Sequence, residues 1–493
     1  MIRTRFAPSP TGFLHIGGLR TALYAYFFAR QNGGKMILRI EDTDKEREVE
    51  GAVGALIKTL HHMGVEYDEG LKIGPNHLGA VSIGDHGPYV QSERLPIYRE
   101  QVDRLLVEDH AYHCFCTFER LAEMREIQKR SKQQPKYDRH CLNLSAETIK
   151  AKLDANEPHV VRMKIPEGET VVEDVVYGRM VFPNADLDDQ VLLKSDGYPT
   201  YHLAVVVDDH LMEVSHVLRG EDWLSSTPKH LILYKMFGWT PTVFAHLPNL
   251  LAENKKKLSK RQNDVAVEDF LNRGYLPEAL NNFVATLGFN PKSDQEIYSM
   301  DELIRLFDLT KVNRGGAVVN YEKLDWMNAR YLREMDLDRL VRVLAVLVES
   351  ERGSGFVEGK TERFQRIVSV ERGRLTRLND ILERLPMYED AGDYSVDLLV
   401  WKKADREDAK LRLEEVLALL EPLEESNFAS VDQLEARLKT HIEGNRLSTG
   451  NVLWPLRVAL SGQKNSPSPF ELAWVFGKIE TLKRLKTALK KLS

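Results

Sequence analysis

Two short polar motifs, far apart in the chain, constrain this sequence most: His15-Ile16-Gly17-Gly18 near the start and Lys257-Leu258-Ser259-Lys260-Arg261 about halfway along. Each sets a polar or cationic group beside backbone that can approach phosphate closely, and Gly17 and Gly18 leave room for a nucleotide. A phosphate loop of this kind usually occupies one βα turn. Here the second cationic element arrives only after residue 250. Together the two motifs predict one ATP site, assembled by a nucleotide fold whose halves are separated by a large insertion.

The local pattern supports the first half of that site. Arg3 to Phe6 reads as a strand, and Ala7-Pro8-Ser9-Pro10-Thr11-Gly12 as a turn, because two prolines and a glycine exclude regular structure. From Gly17 the apolar spacing of Leu19, Leu23, Tyr26 and Phe27 predicts a helix that stops at Gly33-Gly34. His15 and the two glycines therefore sit at a helix N-terminus, where free N–H groups and the dipole favour an anion. Met36 to Ile40 reads as a strand ending in Glu41-Asp42-Thr43-Asp44. Acidic residues at such a strand end face the crevice where α/β sheets bind ligands. Glu41 suits a substrate ammonium; Asp42, Thr43 or Asp44 suits the N-cap of a helix running toward His61.

These stretches carry a family resemblance. Arg5 to Gly12, Leu14-His15-Ile16-Gly17-Gly18, Arg20-Thr21-Ala22-Leu23 and Leu38-Arg39-Ile40-Glu41-Asp42-Thr43-Asp44 resemble the N-terminal block of the bacterial glutamyl-tRNA synthetases, which are class I aminoacyl-tRNA synthetases. The class-wide motif ends in a second His. Gly18 stands in its place, as in the glutamyl branch. The resemblance continues through Lys194 to His202 and Arg219-Gly220-Glu221-Asp222-Trp223. It implies a multi-domain α/β plus α protein. A Rossmann-like nucleotide-binding catalytic domain would carry an inserted acceptor-stem domain, followed by an all-helical anticodon-binding half. The expected segments are 1–91 and 190–250 for the two catalytic halves, and 92–189 for the insertion. Segment 251–325 would be a stem-contact domain with the lysine loop, and 326–395 and 396–493 two helical anticodon-binding subdomains.

By that resemblance Arg5, Ala7, Ser9, Glu41, Tyr201, Arg219 and Trp223 line the glutamate pocket. The chemistry agrees, since glutamate carries two carboxylates and one ammonium, and two fixed guanidinium groups can bind the former. Arg219 is then the specificity determinant, with the Tyr201 hydroxyl as its polar partner. The competing reading of Arg219 is an ion pair with Glu221 or Asp222. The apolar run Leu203 to Val207 reads as a buried strand closed by Asp208-Asp209-His210, and Ser225-Ser226-Thr227-Pro228 as a helix start.

The expected ATP residues are Ser9, Thr11, His15, Gly17, Gly18, Lys257, Ser259, Lys260 and Arg261. Lys257 to Arg261 matches the class I lysine signature, so His15, Lys257 and Lys260 are the expected catalytic groups. Lys260 would stabilise charge on the α-phosphate and the leaving pyrophosphate. The implied reaction is attack of the glutamate α-carboxylate on ATP, then transfer from glutamyl-adenylate to the terminal adenosine of tRNA(Glu). ATP would bring Mg²⁺ held mostly by phosphates and water. The family pattern also implies that tRNA must be present before glutamate is activated.

Cys114-Phe115-Cys116 and Cys141 match the spacing of the zinc-bearing members. The fourth position is Asn143, a poor zinc ligand, which leaves Tyr137, His140 or His113 as substitutes. The alternative is a metal-free loop with three reduced cysteines. Leu71 to Gly87 reads as an additional surface loop.

Beyond Val265 the pattern is helical. Leu337, Leu340, Val341, Leu344 and Leu347, and Leu413, Val416, Leu417 and Leu420, read as core stripes. Beyond residue 430, eleven Lys and Arg face five Asp and Glu, an excess suited to phosphate contacts although the whole chain carries a formal net charge of −6. No run of 18 apolar residues occurs, the N-terminus lacks a secretory stretch, and three cysteines do not make a disulfide framework. A cytoplasmic monomer that uses no membrane is expected. Two alternatives share the sequence: a relaxed synthetase that also charges tRNA(Gln), and a catalytically silent tRNA-binding paralogue.

Overall fold

The computed structural model describes residues 1–74, 80–258, 265–291, 294–353, 355, 357 and 360–493. They form two compact units, one of residues 1–272 with 277–324, the other of residues 273–276 with 325–493.

The first unit opens with strand β1 (Arg3–Phe6), helix α1 (Ile16–Gln31) and strand β2 (Lys35–Leu38), with β1 and β2 parallel. Helix α2 (Ala52–His62) and an antiparallel hairpin of β3 (Gly70–Ile73) and β4 (Ala80–Ile83) follow. Next come α3 (Leu95–Val107), β5 (Ala111–Cys114), α4 (Phe118–Arg130), α5 (Ala146–Asp154) and β6 (Val160–Met163). Strands β7 (Glu169–Asp174) and β8 (Gly178–Pro183) make a hairpin, and β9 (Val191–Leu193) pairs back onto β6, which also pairs with β5.

Then α6 (Tyr201–Leu211), β10 (His216–Gly220), α7 (Thr227–Met236), β11 (Val243–Leu247) and β12 (Leu250–Leu251) complete the second half. The unit closes through α8 (Val267–Asn272), α9 (Pro277–Thr286), α10 (Met300–Leu306) and β13 (Ala317–Val318), the last parallel to β12.

The sheet order β10-β11-β7-β8 places the β7–β8 hairpin beside the second half. Ser215 joins the first half to it: its N–H donates to Arg3 O (2.9 Å), and its hydroxyl accepts from Arg3 N (2.8 Å). The core beneath buries Leu203–Val207 of α6 with Tyr98 and Val102 of α3 and Leu233 and Phe237 around α7.

Three expectations need correction. The run Leu203 to Val207 is helical, inside α6. All five side chains are buried, so no one-sided period marks the helix, and a short apolar run of valines looks like a strand. Asp42, Thr43 and Asp44 do not cap the helix toward His61: α2 starts after Gly51, whose φ of 77° ends the approach. Asp42 instead accepts from Ser92 N (2.8 Å) and Lys45 (2.9 Å), and Asp44 pairs with Arg47. The described part of Leu71 to Gly87 is largely the β3–β4 hairpin rather than a loop; residues 75–79 lie outside the described residues.

The second unit is helical among its described residues. It contains most of α11 (Tyr321–Glu334), then α12 (Leu337–Arg352), α13 (Thr361–Glu371), α14 (Asp380–Glu389), α15 (Arg406–Leu420), α16 (Val431–Gly444), α17 (Thr449–Ser461) and α18 (Pro469–Leu492). Of the expected stripes, Leu340 and Leu344 are buried in α12, and Leu413, Val416 and Leu420 in α15, while Leu337, Val341, Leu347 and Leu417 flank them half-buried. α18 breaks at Gly477, whose φ of 69° with ψ of −177° is a backbone conformation that favours glycine.

Candidate active site

His15 is the N-cap of α1, and its Nδ1 accepts from Gly17 N (2.9 Å). Ile16 N donates to Val265 O (3.0 Å), Val267 N donates to Leu14 O (2.8 Å), and His15 bridges Ala266. The expectation of free N–H groups is thus changed at Ile16 and Gly17, whose amides already have partners. The same bonds stitch the exit of the lysine loop to the histidine motif. Its entrance is held too, by Leu258 N to Leu250 O (2.8 Å) and a bridge between Leu251 and Lys257. Lys257 forms an ion pair with Asp222 at the surface. Ser259, Lys260 and Arg261 lie outside the described residues. A Cβ on Gly17 would stand 3.2 Å from His15 Nδ1 and one on Gly18 3.0 Å from Leu14 Cδ1, so both positions favour glycine by crowding.

A cavity of about 960 Å³ opens between β1, the end of β2, α6 and β10. It brings together Arg5, Ala7, Ser9, Glu41, Tyr201, Arg219 and Trp223, every expected glutamate residue, and Thr11 of the expected ATP set, while His15, Gly17, Gly18 and Lys257 do not line it.

Arg219 is buried at the end of β10, and all five of its N–H donors meet neutral acceptors. Nε donates to His246 Nε2 (3.0 Å). Nη1 donates to Tyr201 OH (3.1 Å) and His230 Nδ1 (3.1 Å), and Nη2 to Thr227 Oγ1 (2.8 Å) and, most weakly, Trp223 O (3.4 Å). Among the described residues it makes no ion pair, so the expected competitor, pairing with Glu221 or Asp222, is not formed. Those carboxylates bind Asn249 and Lys257 instead. His230 passes the chain on to His202 (3.0 Å). Burial and then the Arg219 charge hold His230 well below its ordinary pKa, and burial with Lys229 takes His202 down to about 3. Both rings are neutral near pH 7.

Across the cavity the charges are paired. Arg39, fully buried, donates from Nη1 to Asp209 Oδ1 (2.7 Å) and from Nη2 to Glu41 Oε1 (3.2 Å). Arg5 donates from Nε to Asp209 Oδ1 and from Nη1 to Leu218 O, both at 3.3 Å. Burial pushes the Glu41 carboxyl up, against the pull of Arg39 and Arg5. Tyr201 stacks on Trp223 with ring centroids 4.0 Å apart, which fixes its hydroxyl on Arg219.

The cysteines converge where the end of β5 meets the segment after α4. The sulfurs of Cys114, Cys116 and Cys141 all lie within 4.8 Å of one another, Cys116 and Cys141 at 3.5 Å. The Tyr137 hydroxyl sits 3.3 Å from both Cys114 Sγ and Cys116 Sγ. His140 is exposed and bonds through its backbone to Asp138, and the His113 ring packs edge-on against His159. Three soft sulfurs with a phenol oxygen suit a tetrahedral zinc.

The family described as tRNA synthetases class I (E and Q), catalytic domain, matches residues 1–326. The chain belongs to that family. An anticodon binding domain matches residues 337–489. The chain is 45% identical over 492 residues to the glutamate–tRNA ligase of Alkaliphilus metalliredigens (strain QYMF), covering 98% of this chain and 97% of that one. It is 43% identical to that of Clostridioides difficile (strain 630), with 98% of each covered. A crystal structure of a glutamate tRNA ligase from Elizabethkingia meningosepticum CCUG26117 in complex with its amino acid superposes with a TM-score of 0.89 at 34% identity, covering both chains completely. The chain is therefore an aminoacyl-tRNA synthetase with the expected class I architecture, a Rossmann-like catalytic part followed by a helical anticodon-binding half. The comparisons favour neither the relaxed nor the silent alternative. No helix among the described residues is long and apolar enough to cross a membrane.

Several site residues escaped the sequence reading. Arg39 lies inside the Leu38–Asp44 motif, which by itself gives it no role, and Asp209 reads in the sequence only as the close of an apolar run. Asp174, His230 and His246 carry no local signal, because strand pairing and burial alone bring them to Arg219.

Proposed function

We propose that this synthetase activates L-glutamate with ATP and transfers it to the terminal adenosine of tRNA(Glu). Arg219 carries the reading: a buried guanidinium with neutral partners only, opening onto a cavity that also holds Arg5 and Glu41. A buried charge without a counterion is costly unless a ligand supplies one. A carboxylate entering the cavity displaces the long bond to Trp223 O and accepts the proton of Tyr201 OH, whose oxygen Arg219 already polarises. Arg5 serves the second carboxylate, and Glu41, pinned by Arg39, receives the ammonium.

In the first step an α-carboxylate oxygen attacks the α-phosphorus of ATP and the bond to pyrophosphate breaks. Ser9, Thr11 and the His15-Gly17-Gly18 turn hold the nucleotide beside the Lys257–Arg261 loop, and Lys260 offsets the charge on the leaving pyrophosphate. In the second step the 2′-hydroxyl of the terminal adenosine attacks the glutamyl carbonyl, and AMP leaves. Mg²⁺ supplies charge neutralisation at the phosphates when ATP is bound. Segment 92–189 receives the acceptor end, 251–325 the stem, and 326–493 the anticodon. Cys114, Cys116, Cys141 and Tyr137 hold a structural zinc that braces the insertion away from the chemistry.

ATP–pyrophosphate exchange tests the reading, with glutamate and with glutamine, each with and without tRNA. Exchange with glutamate that appears only when tRNA is present is the expected result. Exchange with neither amino acid would overturn it.

A further inference from the structure

Arg219 is held from behind by residues from two other strands. His246 of β11 is its register partner across the β10–β11 pair, and Asp174 of β7 is paired with Phe244, two residues earlier on β11. Asp174 and His246 side chains are both fully buried. Four donors converge on the Asp174 carboxylate. Oδ1 accepts from Val176 N (2.9 Å) and Tyr177 N (2.8 Å), while Oδ2 accepts from His246 N (3.1 Å) and His246 Nδ1 (2.7 Å). An ionised carboxylate only accepts, so the imidazole proton must sit on Nδ1. Nε2 is then bare, and it is the atom that takes the Arg219 Nε proton.

We propose that Asp174 and His246 are positioning residues for Arg219: Asp174 fixes the imidazole tautomer whose Nε2 accepts from the guanidinium, which stays aimed at the cavity with its charge intact. A carboxylate in the place of His246 would hold Arg219 equally well but cancel its charge. A protonated imidazole would oppose it with a hydrogen on Nε2. The neutral ring, relayed from a carboxylate one residue further back, orients without neutralising. Burial and the neighbouring Arg219 both disfavour the charged ring, although Asp174 pulls the other way. The inference rests on the reading of Arg219 as a glutamate ligand.

The test is ATP–pyrophosphate exchange by the full chain with tRNA, titrating glutamate and ATP separately. Asp174→Asn turns an N–H toward one pair of donors. Where that N–H faces His246, the ring must move its proton to Nε2, against Arg219, and the relay is lost; the opposite flip sets the amide against the Val176 and Tyr177 N–H groups. Glutamate KM should rise about tenfold or more, the worth of a hydrogen bond to a charged group, with ATP KM little changed. His246→Gln puts an amide oxygen near the place of Nε2 and should recover much of what His246→Leu loses. Adding Asp174→Asn to His246→Gln should cost little more, because Asp174 acts through the ring. If Asp174→Asn does not fold, the Leu and Gln variants at 246 decide. Arg219→Leu is the control. If it raises glutamate KM while the Asp174 and His246 variants do not, positioning is overturned and the pocket assignment stands. If Arg219→Leu leaves glutamate KM unchanged, the pocket assignment itself has failed. Equal rises in both KM values across the variants would mean general damage and would also overturn the proposal.

Discussion

Arg39 and Asp209 form a buried ion pair, Nη1 to Oδ1 at 2.7 Å, and the same carboxylate oxygen receives Arg5 Nε at 3.3 Å. One acidic residue of α6 thus anchors two arginines from the first half of the catalytic unit. Asp209→Ala leaves two buried guanidinium groups short of a partner. It should destabilise the catalytic unit by about 3 kcal/mol, the scale for breaking a buried pair. Thermal melting checks this, and an unshifted transition would show that Glu41 and Asp208 compensate.

Tyr201→Phe keeps the stacking on Trp223 and removes only the hydroxyl. Glutamate KM should rise about tenfold, the worth of one bond to a charged group, with ATP KM unchanged. Steady-state exchange kinetics measure both. An unaltered glutamate KM would take Tyr201 out of the pocket.

Lys260→Ala should cut glutamate activation by about a hundredfold to a thousandfold, the usual loss on removing one electrostatic stabiliser. Affinity for tRNA, read by filter binding, should stay level. Full exchange activity in this variant would refute the assignment of the lysine signature.

The purified chain should carry one zinc per molecule by elemental analysis, and Cys141→Ala should lose it. Exchange activity should outlast the metal at low temperature, since the cysteines stand apart from the cavity. A metal-free preparation with normal thermal stability would favour three plain thiols.

Acid stability should report on Glu69. Its carboxylate accepts from Arg3 Nη1 (2.9 Å) and Tyr89 OH (2.7 Å) and lies 3.0 Å from His86 Nδ1. Burial opposes ionisation, yet these partners take its pKa down to about 2 from an ordinary 4.5. A folded value below the unfolded one means the contribution is complete above about pH 4.5 and drains away toward pH 2. Glu69→Gln should lower stability at pH 7 and flatten the loss over that acid range. Parallel melting curves for the two proteins would contradict this.

Much of the site was legible because its motifs are local. Arg5, Glu41, Tyr201 and Trp223 lie in short stretches that carry the family resemblance, and the structure brings those stretches to one cavity. α1 and α7 announced themselves by glycine, proline and spacing. What failed was burial without periodicity: α6 is wrapped on every side, so Leu203 to Val207 carried no phase. What could not be read was convergence. His230 and His246 meet Arg219, and Asp174 meets His246, only after β7, β11 and α7 have packed, and no spacing in the sequence encodes those meetings.

The β7–β8 hairpin has a practical consequence for building chimaeras. It is encoded before residue 189 yet pairs with β11, so an exchange of segment 92–189 would carry off Asp174 and replace the support of Arg219 with it. A graft that ends before Glu169 and resumes after Pro183 would exchange the rest of that segment and leave Asp174, and with it the support of Arg219, in place.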